Sequence, residues 1–537
     1  MDPGSWSRRV AAVTLVNRWP ALVALVATLV AISVTPAFAS TNSTAAATVS
    51  SAASHVASAS GYTIVDLGTF GGPNSFQNYP GRSLTDDGTA IGEADTTVAD
   101  PNAPTCFADC TVSPAFEWQH GKLTDLGALP GPNSSCATWI NDTGTVAGVS
   151  EYGVDPSANA PLEKAVLWRQ GKVTDLGTLG GNQSDAGAVN DRGQVAGAAL
   201  NSVPDPVPSS AGVLATNNCA IIPINTTEVR AFVWQDGVMH DLGTLGGPDA
   251  MASWINDRGQ VAGQSFTTSV ANASTGYPTM DPFLWHDGKM IDIGTLGGSS
   301  GTANWLTEGG DVVGTSNLKG DQTHHAFVWQ NGHLVDLGTL GGSNSEAFFA
   351  NDAGDTVGRA DFSSSSTDHH AFLWHRGKMI DLGTVDGDPS STAYSVNDRD
   401  QVVGDSSGGH AWLWEDGSIR DLNTLIAPGS ALSMEAAAYI NDHGEIYGTA
   451  VLSNGTQHVV VLIPNHRKKQ RHGVGQVCPT PCRMTSSDFT GGVCPAAPLV
   501  RRSLMAKMPK PSVTSWSPKH GLRIRVGNVV SEGRHNP

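Results

Sequence analysis

The stretch from Glu346 to Val385, EAFFANDAGDTVGRADFSSSSTDHHAFLWHRGKMIDLGTV, decides the fold. It contains four short runs rich in β-branched and aromatic residues, each ended by turn residues, and it leaves no room for a helix of about ten residues. We call the four predicted strands a, b, c and d in chain order. Asn-Asp-Ala-Gly separates a from b, and Arg-Gly separates c from d, as expected for tight antiparallel hairpins.

The end of strand d recurs along the chain as Asp-Leu-Gly or a close variant. The intervals between its Asp residues are 59, 50, 66, 51, 44, 45 and 40 residues. Four antiparallel strands repeated at this period predict an all-β fold, a β-propeller of eight four-stranded blades, with seven blades as the alternative. The repeated residues are Asp66, Asp125, Asp175, Asp241, Asp292, Asp336, Asp381 and Asp421.

Each end of the repeat region carries half of a hairpin. The first repeat-like run, residues 62–67, is a strand d without a preceding strand c, and the last, residues 458–463, is a strand c without a following strand d. We predict that these two runs pair and close the ring, which would remove exposed sheet edges. An open solenoid would need polar caps at its ends instead.

Three linked motifs carry a family resemblance. They are His-Ala-Phe-Leu-Trp (His370 to Trp374), Asp-Leu-Gly-Thr-Leu-Gly-Gly and Ile-Asn-Asp-x-Gly-x-Val-x-Gly, and they recur in order. Over about residues 61 to 464 the chain therefore resembles the bacterial HAF family of extracellular repeat proteins. The resemblance implies secretion and repetition, and it brings no activity and no catalytic residues.

Composition divides the chain into four predicted parts. Residues 1–39 resemble a signal peptide, because arginines precede an apolar run and Ala37-Phe38-Ala39 offers a small-residue cleavage motif; an uncleaved anchor is the alternative. Residues 40–60 form a Ser/Ala/Thr-rich linker. The propeller spans residues 61–464. Residues 465–537 form a basic tail without periodicity, predicted to be disordered, with a misread frame as the alternative.

Charge separates the body from the tail. Residues 40–464 carry 15 Lys and Arg against 46 Asp and Glu, a net charge of −31, whereas residues 465–537 carry 13 against 2, a net charge of +11. An acidic body repels nucleic acid and anionic lipid. We therefore predict a monomer with no nucleic-acid partner and no membrane span in the mature chain. Its partner is predicted to be an extracellular protein or glycan.

Four long insertions all lie between strands b and c of the first four blades, at about residues 93–114, 151–164, 198–229 and 266–281. The b–c and d–a connections share one face of a blade, so the insertions are predicted to occupy half of one face, where loops carry binding function. The 198–229 insertion is the longest and contains an apolar, Pro-rich run that suits a stiff contact surface.

Histidines stand at the equivalent edge of the later blades, and we predict them as binding residues at the rim of this face. The earlier blades carry Pro114, Lys164, Arg230 and Asp281 at that position, which indicates a tolerant rim rather than a metal site, so no metal is predicted. The predicted binding residues are His325, His370, His410 and His458.

Two further sets of residues have a structural and a functional interpretation. The strand-d Asp residues either surround an axial cation or accept hydrogen bonds from nearby turns, and the outermost position of strand d favours the turns.

Cys106 and Cys110 are candidates for a small disulfide staple in an exported protein. The alternative, a zinc half-site, lacks a second Cys/His pair at matching spacing.

The sequence predicts a fold and an extracellular location, but it does not predict a catalytic activity. It contains no His-Glu-x-x-His, Walker or dinucleotide motif, and no catalytic residue and no cofactor is predicted. The leading hypothesis is a secreted binding module. The alternatives are a hydrolase or lyase acting on an extracellular polysaccharide or ester, and a passive envelope component retained by the basic tail.

Overall fold

A computed structural model of the chain describes most of the repeat region. The predicted signal peptide, the linker and nearly all of the tail lie outside the described residues, so these assignments stay predictions. The described residues are 61–78, 81–101, 111–131, 134–155, 160–207, 227–273, 275–364, 368–385 and 387–465.

The first four blades contain sixteen strands, four to a blade. Blade 1 comprises β2 (Gly71–Phe76), β3 (Ala90–Thr96), β4 (Ala115–Gln119) and β5 (Lys122–Asp125). Blade 2 comprises β6 (Ser135–Ile140), β7 (Val146–Asp155), β8 (Ala160–Arg169) and β9 (Lys172–Asp175). Blade 3 comprises β10 (Gly180–Val189), β11 (Val195–Pro204), β12 (Thr227–Gln235) and β13 (Val238–Asp241). Blade 4 comprises β14 (Ala250–Ile255), β15 (Val261–Ala271), β16 (Pro278–His286) and β17 (Lys289–Asp292).

The remaining blades follow the same order. Blade 5 comprises β18 (Gly297–Leu306), β19 (Val312–Leu318), β20 (His324–Gln330) and β21 (His333–Gly338). Blade 6 comprises β22 (Ser345–Ala350), β23 (Thr356–Asp361), β24 (His369–His375) and β25 (Lys378–Gly383). Blade 7 comprises β26 (Ser391–Val396), β27 (Val402–Ser406), β28 (His410–Glu415) and β29 (Ser418–Asp421), followed by a 3-10 turn (Leu422–Thr424). Blade 8 comprises β30 (Leu432–Ile440), β31 (Ile446–Leu452), β32 (Gln457–Pro464) and β1 (Tyr62–Asp66).

The strands pair as antiparallel a–b–c–d sheets. Six blades are separate four-stranded sheets, whereas blades 4 and 5 are joined into one sheet by a single parallel bridge between Met280 and Ser300. The predicted all-β propeller fold is therefore confirmed. In the described part of the chain no helix is long and apolar enough to cross a membrane.

Blade 8 is built from both ends of the described chain. Strand β1 pairs antiparallel with β32, from Tyr62 opposite Pro464 to Asp66 opposite Val460. Blade 8 also contacts blade 1, because the Val459 N–H donates to the Ser75 Oγ at 2.9 Å.

Aromatic rings from strand a of several blades meet at the centre of the molecule. The Trp139 ring of blade 2 lies 5.4 Å from the Trp305 ring of blade 5, and both contact Trp254 of blade 4. Phe349 of blade 6 extends the cluster, with its ring centroid 4.2 Å from that of Trp305. Because blades 2 and 5 are not neighbours, strand a is the innermost strand and these rings fill the axis. The repeat pattern does not single out these residues, because the position is Trp or Phe in only some of the blades.

In six of the eight blades, an Asn of the turn between strands a and b is bonded to the next blade. Six Asn side chains donate Nδ2–H to the backbone carbonyl of the equivalent residue one blade on; the bond from Asn441 to Thr85 links blade 8 to blade 1. The following Asp N–H donates to the next blade's carboxylate, as Asp442 does to Asp86. The other donors are Asn141, Asn190, Asn256, Asn351 and Asn397.

Burial, together with neighbouring acids, raises the pKa of three carboxylates in the a–b turns. Burial and then the neighbouring acids of the same ring raise the pKa of Asp191, and burial has the largest share at Glu308 and Asp398 as well. These acids lie on the inner side of the blades, because strand a leads into their turns.

In six blades, strand c supplies a fully buried aromatic residue. Phe116, Phe232, Phe283, Phe327 and Phe372 are fully buried, and Trp412 takes this position in blade 7. The Trp two residues later is less uniformly buried: Trp118 and Trp168 are buried, but the Trp residues of blades 3 to 7 only partly cover the core. The Trp that recurs in seven blades is therefore a packing residue, but the Phe forms more of the core.

Candidate binding face

The hairpins divide the propeller into two faces. We call the side with the b–c connections and the d–a loops the arm face; there the Ser113 N–H, before β4, donates to the Ser134 Oγ, before β6. The turn face carries the a–b and c–d turns; there the Gln330 Nε2, at the end of β20, donates to Asp311 of the a–b turn. The long insertions therefore lie on the arm face.

Blades 2, 3 and 4 extend the arm face with long β-hairpins. Their strands b and c run for nine to eleven residues, whereas those of blades 5 to 7 have five to seven. In blade 4 the extension reaches the pair Ala271 and Pro278, beyond the last core pair, Phe266 and Met280. Blade 1 has a shorter extension, an isolated bridge between Ala99 and Thr111. Main-chain pairing thus holds parts of these predicted loops in place.

Apolar side chains are exposed at these connections. Val98 is 53 % exposed, Val203 48 %, Val270 71 % and Phe362 36 %. Val98 and Phe362 lie in the connection between strands b and c, and Val203 and Val270 lie at the outer ends of strands b. The other two large exposed hydrophobic residues in the described regions are Val238 and Val335, both on strand d. The exposed apolar surface is therefore concentrated on the arm face.

The four predicted rim histidines each face a carboxylate. The Nδ1 atoms of His325, His370 and His458 lie 2.8–2.9 Å from the strand-d Asp paired with them, namely Asp336, Asp381 and Asp66. His410 instead lies 2.8 Å from Asp388 in the loop before blade 7. Within the described ranges these histidines form no common cluster, since each belongs to a different blade. Their role in ligand binding stays a prediction.

Other blades fill the same strand-c position with other charges. The Lys164 Nζ lies 2.8 Å from Asp175, and the Arg230 Nε lies 3.1 Å from Asp241. Blade 4 differs, because Asp281 there faces Asp292. Burial, followed by the negative charge of Asp292, raises the pKa of Asp281 to about 7.

The strand-d Asp residues have a turn-forming role. In all eight blades the backbone N–H two residues further on donates to Asp Oδ1 at 2.7–2.8 Å. Strand d is the outermost strand, because strand a lies at the axis. These carboxylates therefore do not surround an axial cation.

A charged cluster connects blades 5 and 6 near the arm face. Glu346 accepts from Arg359 at 2.8 Å and lies 3.1 Å from the His324 Nε2. Burial opposes ionisation of Glu346, but His324 and Arg359 outweigh it and hold the pKa of that carboxyl below its ordinary range. Near this cluster, burial raises the pKa of Asp405 to about 7 despite a hydrogen bond from Tyr394. The sequence does not distinguish Glu346 and Asp405, because carboxylates are too numerous to single out by pattern.

Cys136 of β6, the one cysteine among the described residues, is disulfide-bonded. Cys106 and Cys110 lie outside the described residues, so the staple between them stays a prediction.

Comparisons with known proteins add little beyond the fold. No protein-family model and no curated protein matches the chain, so the resemblance to the HAF repeats stays a prediction. Among solved structures, an acylaminoacyl peptidase from Pyrococcus horikoshii is similar at 9% identity and a TM-score of 0.36, over 60% of this chain and 50% of that one. The propeller domain of the Trilobed protease from Pyrococcus furiosus is similar at 8% identity and a TM-score of 0.38, over 65% and 97%.

A gluconolactonase from Xanthomonas campestris is similar at 11% identity and a TM-score of 0.22, over 62% of this chain and 91% of that one. The chain thus spans half the length of the Pyrococcus horikoshii peptidase. Likenesses this weak carry no information about activity, and the strand pairings alone define this propeller.

Proposed function

We propose that this chain is a secreted, monomeric binding module that holds a protein partner against its arm face. The observation that carries the proposal is the concentration of exposed Val98, Val203, Val270 and Phe362 on the arm face. Exposed apolar residues grouped on one side of a soluble protein are typical of protein-binding surfaces.

We call the extended b–c hairpins of blades 2, 3 and 4 the arms. The strand pairing within the arms supports the same function. Strands β15 and β16 pair as far as Ala271 and Pro278, so Val270 stands on a hydrogen-bonded hairpin rather than on a loop without secondary structure. A contact surface held in place before binding loses less conformational entropy when the partner docks.

Charge indicates the chemistry of the partner. Residues 40–464 have a net charge of −31, which favours a partner with basic residues around an apolar contact and disfavours nucleic acid. Secretion rests on the predicted signal peptide and on the resemblance to extracellular repeats.

Single substitutions on the arms test the proposal. We expect Val270→Asp to reduce capture of the native partner from secreted material, because a carboxylate would be placed in an apolar contact. Val238→Asp is the matched control, since Val238 is 51 % exposed at the c–d turn of blade 3, away from the arm face. Quantitative mass spectrometry of the captured proteins, followed by titration of the purified partner, provides the measurement.

A second variant removes a whole arm. Replacing residues 267–279 by Asn-Gly keeps the buried pair Phe266 and Met280 and closes a two-residue hairpin above them. The proposal predicts a folded protein that loses the partner. Identical partner profiles for the wild type, Val270→Asp and the shortened arm would contradict it.

A further inference from the structure

Three potential metal ligands meet on the turn face, away from the arms. Asp355 belongs to the a–b turn of blade 6, His375 ends β24 of the same blade, and Asp400 belongs to the a–b turn of blade 7. One ligand atom from each lies within 4.8 Å of the other two. Asp355 is buried, His375 is partly exposed and Asp400 is exposed, so the group lies at the surface between two blades.

The contact between Asp355 and His375 is a variant of one that other blades make. His375 Nδ1 lies 2.5 Å from Asp355 Oδ1. At the same two positions blade 3 pairs Gln194 with Gln235, blade 5 pairs Asp311 with Gln330, and blade 7 pairs Gln401 with Glu415. Each of those pairs includes at least one neutral amide, whereas blade 6 presents a carboxylate and an imidazole.

Asp400 replaces a glycine of the repeat. The other seven blades have glycine with positive φ at this turn position, and Asp400 has a φ of 58°. This is a left-handed conformation that Asp tolerates less well than glycine. The seven glycines are Gly88, Gly144, Gly193, Gly259, Gly310, Gly354 and Gly444.

The direction of a side chain at this position can be taken from the neighbouring turns. A Cβ on Gly310 would lie 2.8 Å from the Gln260 Oε1, and a Cβ on Gly444 would lie 3.2 Å from the Gln401 Oε1. In both cases it meets the fifth residue of the preceding blade's turn. For Asp400 that residue is Asp355, so the substitution brings a second carboxylate to the Asp355–His375 pair.

We propose that Asp355, His375 and Asp400 bind a divalent transition-metal cation, with Zn²⁺ as the preferred ion. Two carboxylates beside a neutral imidazole leave a charge of −2, which a divalent cation balances. One imidazole nitrogen with two carboxylate oxygens suits Zn²⁺ or Mn²⁺, whereas Ca²⁺ prefers six to eight oxygen ligands. With bonds of about 2.1 Å, tetrahedral ligand atoms stand roughly 3.4 Å apart, which small side-chain rotations reach from the observed arrangement.

A cleft beside Asp400 leaves the site accessible. It has a volume of about 310 Å³, and its lining includes Asp400, Arg399, Gln401, Trp414 and Glu415. A water or a small anion can therefore approach from this side to complete the coordination, as in zinc sites with three protein ligands.

The repeat itself supplies the variants that test the site. Asp400→Gly, His375→Gln and Asp355→Gln each install the residue that stands at the equivalent position of other blades, so all three are expected to fold. The control is His286→Gln, which makes the same change at the position of His375 in blade 4. The full chain, without an affinity tag and freed of metal by a chelator, is titrated with Zn²⁺ and separately with Ca²⁺ by calorimetry.

We expect one tight Zn²⁺ site in the wild type and in His286→Gln, and a loss of affinity of at least about tenfold in each of the three ligand variants. Zn²⁺ should also raise the melting temperature of the wild type but not that of Asp400→Gly. Unchanged Zn²⁺ affinity in Asp400→Gly, or an equal loss in His286→Gln, would overturn the proposal. Partner capture by the arm face tests the proposed function separately, because none of these residues lies on the arms.

Discussion

In six of the eight blades, one strand-c residue sets the charge next to the repeated Asp of strand d. Where it is Lys164, Arg230 or one of the three histidines bonded to strand d, it faces the repeated Asp as a cation or a hydrogen-bonding partner. Asp281 is the exception, because it brings a second carboxylate to Asp292. Alternation along strand c predicts the shared position of these residues. It does not predict which partner faces each of them, since that depends on the pairing register with strand d.

The Asp281–Asp292 pair should make stability depend on pH. The pKa of Asp281 is raised to about 7, so its favourable contribution is full at acid pH and is lost as the pH rises through 7. We expect Asp281→Lys to raise the free energy of unfolding by about 0.5–1 kcal/mol at pH 8, a modest value because the pair is partly solvated. The gain should shrink at pH 5. Urea denaturation at both pH values measures it.

The reverse exchange is the control for this prediction. His370→Asp places two carboxylates at the equivalent edge of blade 6, and it should destabilise the protein more at pH 8 than at pH 5. If Asp281→Lys changed stability equally at both pH values, the proposed repulsion between Asp281 and Asp292 would be wrong.

At the scale of the elements, the turns form hydrogen bonds between blades that their sequence did not predict. Asn-Asp-x-Gly predicts a tight hairpin, and the structure confirms this: Asn190 Oδ1 accepts from the N–H groups of Arg192 and Gln194. The sequence did not predict that the Asn190 Nδ2 also donates to the Asn256 carbonyl of the next blade. Local propensity specifies a turn, whereas this bond depends on how closely two blades approach.

Substitutions at Asn190 should separate the two roles. Thr occupies the equivalent position in blades 1 and 5, where Thr85 and Thr307 accept from the turn N–H but carry no amide donor. We expect Asn190→Thr to cost about 1 kcal/mol, the worth of one hydrogen bond. Asn190→Ala should cost about 2–4 kcal/mol, because it leaves several buried groups unpaired.

Thermal and urea unfolding of the two variants provide the measurement. Exposed Thr143 is a suitable neighbouring site for an alanine control, since its N–H and hydroxyl bond within its own turn. Equal losses for Asn190→Thr and Asn190→Ala would show that the bond between blades carries the whole effect. That result would contradict the division proposed here.

At the scale of the whole molecule, the sequence predicted the repeat but not the contacts between blades. The period and the strand order followed from Asp-Leu-Gly and the hairpin residues, because these depend on neighbours in the chain. The ring contacts among Trp139, Trp254 and Trp305 join residues far apart in sequence, and Asp400 becomes a candidate ligand only when blade 7 lies against blade 6. Such contacts depend on how far each residue lies from the propeller axis and on which blades are neighbours. A pattern along the sequence does not contain this information.

The pairing of β1 with β32 closes the ring of blades, and this closure is the central claim. The most direct measurement compares two truncated chains, one ending at Asn465, which keeps β32, and one ending at Ser453, which lacks it. The shorter chain exposes the edges of β1 and β31, so we expect it to aggregate or to melt at a clearly lower temperature in size-exclusion and calorimetric measurements. The longer chain should remain a monomer. Equal melting temperatures and monomeric behaviour in both chains would contradict the closure of the propeller by its two ends.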